Sequence, residues 1–208
     1  MSDTTLAEAI ALNRPLPVGA AGRKSNGWWG MMFLIMTEAS LFAYLLFSYY
    51  YIAVQPHQVW LPGGRPDLTL GLPNTVLLVA SSFVVWWGER GIDQGNKRRC
   101  VIGLAITILM GLVFVGVQVK EWQDKPFTLT TNPYASLYFV TTGFHVTHVL
   151  VGLLILAALT LWTALGYFDR ARHAAVSIGI IYWHFVDVVW VAVFFTFYVT
   201  PYLGCCHG

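Results

Sequence analysis

Residues 182–190 read Tyr182-Trp183-His184-Phe185-Val186-Asp187-Val188-Val189-Trp190, inside a stretch (174–199) otherwise made almost entirely of Val, Ile, Ala and Phe. That stretch is long enough to cross a bilayer, which takes about 20 apolar residues. It nevertheless carries a histidine and a carboxylate one helical turn apart. An acidic side chain at membrane depth costs about 2.5–3.5 kcal/mol even on lenient insertion scales, so it faces protein or water and has a function or a partner.

Working outward, four more apolar runs occur at 28–54, 73–88, 100–119 and 134–165. The 208-residue chain is 57% hydrophobic and only 11% charged, against about 25% charged in an ordinary soluble domain. The charge deficit decides for a membrane protein. The expected fold is all-α: a polytopic bundle of five transmembrane helices over 28–202, preceded by an arm (1–27) and followed by a short external tail (203–208). The arm contains Asp3, Glu8, Asn13, Pro15 and Pro17 and lacks the continuous apolar core of a signal peptide.

Nine of the basic residues fall on one side of these spans: Arg14, Arg23 and Lys24 in the arm, Arg90, Lys97, Arg98 and Arg99 after the second span, and Arg170 and Arg172 after the fourth. Only Arg65, Lys120 and Lys125 fall on the other. The positive-inside rule therefore predicts a cytoplasmic N-terminus and a periplasmic C-terminus. A net charge of +2, with its cations in loops, gives no footprint for nucleic acid.

Aromatic residues mark the expected interfaces. Trp28 and Trp29 open the first span and Tyr49, Tyr50 and Tyr51 close it, as belts of amphipathic rings do. Pro73 fits a helix start. Gly103, Thr107 and Gly111 form a small-residue stripe on which another helix can approach closely. The fourth run exceeds a span and must tilt or emerge from the bilayer.

Glu38 and Asp187 are the acidic residues expected inside the spans, with every Lys and Arg outside them. Their partners must then be histidines, hydroxyls, tryptophan N–H groups or another subunit; for Asp187 the reading is a structural hydrogen bond to His or Trp. Glu38 fits either a helix-packing hydrogen bond or proton exchange and lipid contact. His145 and His148 share a helical face. With His184 and Asp187 they could be imagined as a metal site in a bundle core, or as haem ligands, but no second supporting motif accompanies them, and histidines hydrogen-bonded between helices explain the same residues. Cys205, Cys206 and His207 form a short cluster in the tail, too few ligands for a tetrahedral site. No nucleotide loop, nucleophile elbow or metalloprotease motif occurs, and no internal repeat supports a transporter.

Trp183-His184-Phe185-Val186-Asp187-Val188-Val189-Trp190 resembles the signature of subunit III of the haem-copper respiratory oxidases. Further segments follow in that family's order: Thr37-Glu38; Asn74-Thr75 with Leu77-Leu78-Val79-Ala80-Ser81; Gln118, Glu121 and Pro126-Phe127; Thr142-Gly143-Phe144-His145; and His148-Val149 with Gly152. The resemblance covers about 28–202. It departs in three places: the arm leads straight into what matches the family's third helix, Ser177 stands where many members carry Glu, and Val146 stands where Gly is frequent.

The resemblance implies a bacterial inner-membrane, multi-pass subunit that carries no haem or copper itself. Those cofactors would lie in partner subunits I and II, with subunit I contacted directly and further small subunits alongside. The family supports proton uptake, protects the oxidase during turnover and holds phospholipid in a cleft. Glu38 matches the family's membrane-buried glutamate, and His145, His148, His184 and Asp187 match its interior polar set. Arg172 and His173 fall where it approaches lipid headgroups. The rival readings are the subunit-III-like accessory protein of nitric oxide reductases and a small proton-coupled transporter using Glu38 and Asp187.

Overall fold

The computed structural model describes residues 26–55, 60–62, 64, 66–168 and 173–203. Most of the N-terminal arm, Arg172 and the Cys205-Cys206-His207 cluster lie outside the described residues. Five helices follow one another: α1 (Asn26–Ala53), α2 (Leu68–Asp93), α3 (Lys97–Asp124), α4 (Pro133–Ala164) and α5 (Ala174–Phe194). α5 continues through a π-helical turn (Phe195–Val199) and a 3₁₀ turn (Thr200–Tyr202). No strand occurs among the described residues. The five spans run to 26–32 residues, roughly 39–48 Å at 1.5 Å per residue, enough to cross a hydrocarbon layer of about 30 Å.

Local sequence sets the helix ends. α2 starts ahead of Pro73, because Asp67 caps it: the Thr69 N–H donates to Asp67 Oδ1 at 2.9 Å and the Thr69 hydroxyl to Oδ2 at 2.8 Å. Pro73 lies within the helix, where it removes one i→i−4 bond. α2 stops at Asp93 because Gly95 adopts φ +80°. Asn96 N–H then reaches Gly91 O at 2.8 Å and Gly95 N–H reaches Ile92 O at 2.9 Å, the paired bonds of a Schellman stop. Asn96 caps α3 in turn, accepting from Arg99 N–H at 3.1 Å. Asn132 does the same for α4, with Pro133 in its first turn.

α2 and α3 form the most extensive helix pair, and the small-residue stripe explains why. A Cβ on Gly103 would stand 2.7 Å from Gly88 Cα and 3.3 Å from Val84 O. Both are backbone atoms that no rotamer change can move. The other end of the stripe serves a different helix. At Gly111 a Cβ would meet Trp183 Cη2 of α5 at 2.8 Å. α1 is attached more loosely, burying a single stripe of Phe42, Leu45, Tyr49 and Ala53 against α4 and α5.

One end of the bundle gathers charge. Arg90 lies over the Trp86 ring at 3.9 Å and Arg99 over Trp87 at 4.6 Å. His173 Nε2, at the start of α5, stands 3.0 Å from Asp93 Oδ1 at the end of α2. His173, expected near lipid headgroups, is thus engaged by a carboxylate of its own chain.

Two measurements check this description. Gly103→Ala should destabilise the bundle by about 1–3 kcal/mol, the usual cost of overpacking. Gly116→Ala, where a Cβ meets nothing within 4 Å, should be close to neutral; unfolding in mild detergent reads both. Asp67→Ala should lower the thermal midpoint at neutral pH. The Thr69 N–H, and then its hydroxyl, hold the Asp67 carboxyl below its ordinary value. The capping contribution is therefore present above the unfolded aspartate's value and lost as pH falls through the lower folded one. The difference between the two proteins should vanish in strong acid.

Candidate functional site

The five polar residues singled out in the spans do not converge on one centre. They separate into three groups, and a fourth cluster joins them from residues the sequence left outside the membrane.

The first group joins α1 to α4. Glu38 Oε2 stands 2.8 Å from His148 Nε2, while His148 Nδ1 lies 2.6 Å from Phe144 O. The backbone carbonyl can only accept, so Nδ1 carries a proton there. With one ring proton, the Nε2 contact needs the proton from Glu38; with two, the pair is ionic. Either way a single proton is shared between a carboxylate and an imidazole. The pair is not sealed: Glu38 retains 28% and His148 13% of side-chain exposure. Phe42 sits edge-on to both His148 (5.1 Å) and His145 (6.3 Å).

The second group is His145, completely buried between Phe114 (5.9 Å) and Trp190 (4.8 Å). Neither ring nitrogen has a hydrogen-bond partner among the described residues.

The third group joins α2 to α5 and corrects the expectation for Asp187. Its partner is neither His nor Trp: the Ser82 hydroxyl donates to Asp187 Oδ2. The Ser82 oxygen also lies 2.9 Å from His184 Nδ1. The tryptophans beside these residues bond elsewhere on α2, Trp183 Nε1–H to Ser81 Oγ at 3.0 Å and Trp190 Nε1–H to Thr75 Oγ1 at 3.0 Å. Four side chains of one segment of α5 thus meet three hydroxyls of α2.

The fourth cluster corrects the expectation that Glu38 and Asp187 are the acids of the spans. α3 runs on to Asp124, which carries Glu121 into the bundle, where it is 4% exposed. Glu121 Oε1 accepts from Tyr198 at 2.6 Å and, weakly, from Tyr138 at 3.4 Å. Lys125, read from the sequence as a loop cation, folds back one turn to pair with Glu121 at 2.9 Å. Lys97, Arg98, Arg99 and Lys120 also lie on α3 and Arg90 on α2, so the cations occupy helix ends as well as loops.

The geometry also bears on the imagined metal centre. His148 goes to Glu38, His184 and Asp187 go to Ser82, and His145 is walled by rings. Among the described residues no three of His, Cys, Asp and Glu gather as ligands would. The arrangement supplies hydrogen-bonding and proton-holding groups at membrane depth. The Ser82 hydroxyl donates to the Asp187 carboxylate between α2 and α5 and ties the two helices together.

Ser82, Glu121, Lys125, Tyr138 and Tyr198 escaped sequence reasoning as site residues. A visible signal existed for Ser82, a second hydroxyl in the middle of an apolar run. Glu121 lay just beyond an apolar run judged by hydropathy alone, which ends before the helix does.

With this geometry in hand, comparison with known proteins is specific. The sequence pattern of the family described as Cytochrome c oxidase subunit III matches residues 23–202. Cytochrome c oxidase subunit 3 of Synechocystis sp. is 36% identical over 186 residues, covering 87% of this chain and 78% of the relative. Those of Danio rerio (34%) and Scyliorhinus canicula (33%) align over 177 residues, 82% of this chain and 68% of each relative. Membership implies a place in a multi-subunit respiratory oxidase, and the five long apolar helices make it a multi-pass membrane protein. The chain belongs to the cytochrome c oxidase subunit III family.

Proposed function

We propose that this chain is the non-catalytic subunit III of a proton-pumping haem-copper terminal oxidase that reduces oxygen to water. It packs against subunit I, which it stabilises, with subunit II and small subunits nearby, and phospholipid fills clefts at its surface. The proposed setting is a bacterial inner membrane with a cytoplasmic N-terminus. The cations at the α2–α3 junction, stacked over Trp86 and Trp87, support that orientation.

The observation that carries the reading is the Glu38–His148 pair, a proton-sharing couple at membrane depth that is only partly covered. Proton uptake by an oxidase needs groups that take up and release protons without a large rearrangement, and a carboxylate–imidazole couple does so. The redox groups are assigned to the partner subunits.

Purification in gentle detergent should bring down an oxygen-consuming partner containing haem and copper. A partner with haem and non-haem iron but no copper would instead identify a nitric oxide reductase accessory, and a colourless solitary chain would favour transport. Glu38→Gln should leave the complex assembled while slowing proton uptake or shortening the active lifetime by several-fold. An unchanged lifetime and uptake rate would remove Glu38 from the mechanism.

A further inference from the structure

The hydrogen bonds around Ser82 leave one group of the bundle unsatisfied at its outer face. A serine hydroxyl has one proton, and that of Ser82 is donated to Asp187. With Asp187 ionised, the contact between Ser82 Oγ and His184 Nδ1 at 2.9 Å runs from Nδ1–H to the oxygen. An imidazole protonated on Nδ1 alone presents a lone pair at Nε2, a hydrogen-bond acceptor. Among the described residues no donor reaches it.

His184 is only half-buried and lines a shallow groove of about 270 Å3 with Ser82, Phe83 and Trp86. The surroundings are apolar and open: Phe83 is 68% and Val188 69% exposed. Ser82 lies at least about 16 Å from either end of α2 at 1.5 Å per residue, so the groove opens near the middle of a hydrocarbon layer about 30 Å thick. Acyl chains carry no donor, phospholipid headgroups do not reach that depth, and water is excluded from the bilayer core. The His184 acceptor, framed by Phe83 and by the Trp86 ring with Arg90 over it, is complementary to a membrane helix bearing an O–H or N–H.

We propose that the α2–α5 face at Ser82, Phe83, Trp86 and His184 docks a transmembrane helix of another oxidase subunit, which donates a hydrogen bond to His184 Nε2. Phe83, Trp86 and Val188 supply the apolar rim around that bond. This inference rests on the assignment of the chain to an oxidase complex and specifies which of its faces meets a partner.

The test uses the assembled complex in native lipid. Phe83 is replaced by the photoreactive p-benzoylphenylalanine and, in a parallel protein, Leu154 of α4, which is 72% exposed. Illumination should join position 83 to a transmembrane segment of another subunit, with a hydroxyl, amide or indole side chain within one helical turn of the joined position. Position 154 should not yield that same product. Adducts of position 83 with lipid only, or with a second copy of this chain, would overturn the proposal while the chain still copurified with the oxidase. Absence of any oxidase from the preparation would overturn the complex assignment itself. His184→Phe, which keeps the ring and removes the acceptor, should speed loss of this chain from the complex about fivefold on detergent exchange, the scale of one hydrogen bond. An unchanged rate, with Leu154→Phe as the reference, would remove His184 from the contact.

Discussion

A membrane bundle has no water to which a buried N–H can turn, and the large buried side chains of α5 make that constraint acute. Trp183 and Trp190 are completely buried, and each indole N–H has to find an acceptor inside the protein. α2 supplies both, Ser81 Oγ and Thr75 Oγ1. These bonds fix the rotation and register of α5 against α2. The rest of the packing then follows the rings: Trp183 projects into the space left by Gly111 of α3 and Gly152 of α4, and Trp190 lies against Phe114 and His145. One helix pair thereby specifies where the third and fourth helices can stand. Hydrogen bonds to α2 set the orientation, and glycines on α3 and α4 admit the volume.

A second polar system ties the opposite end of α5. Tyr198 donates to Glu121 and lies 3.0 Å from the Tyr138 hydroxyl, while Lys125 balances the carboxylate. Nearby, Tyr49 meets Thr200 at 3.1 Å and Tyr50 meets Thr196 at 3.2 Å. These contacts bring α1 to the C-terminal part of α5, where the helix relaxes into its π and 3₁₀ turns. α1 is therefore held at one end by tyrosine hydroxyls and midway by Glu38 and His148. Its remaining surface is left largely open.

The fold was legible because membrane helices advertise themselves by length and apolarity, and because the segment around His184 and Asp187 has a distinctive order of residues. The polar interior was harder to read. Glu38 could be assigned a histidine as one of several candidate partners, since no cation shares its depth, but the sequence does not say which histidine. Asp187 was expected to hydrogen-bond His or Trp in the bundle, whereas the fold rotates those tryptophans onto Ser81 and Thr75 and leaves Ser82 for the acid. Pairing across helices depends on their relative rotation, which no local pattern encodes. Glu121 was missed for a different reason. Hydropathy locates where a chain stops being apolar, not where its helix stops, and α3 continues for a further turn with Glu121 facing inward and Lys125 close enough to neutralise it.

The polar groups also divide by exposure, and that division separates their roles. Thr75, Ser81, Thr107 and Thr142 are all buried and each has a hydrogen-bond partner within the chain; their function ends with the fold. Glu38, His148 and His184 are instead left partly open, although a polar atom in contact with hydrocarbon is costly. A bundle optimised only for its own stability would cover these groups or replace them with apolar ones. Their exposure is consistent with a protein whose surface is completed by other components of a complex. The two open sites lie on different helix pairs, α1–α4 for the proton-sharing couple and α2–α5 for the histidine acceptor. One face can therefore meet a partner while the other remains free to exchange protons.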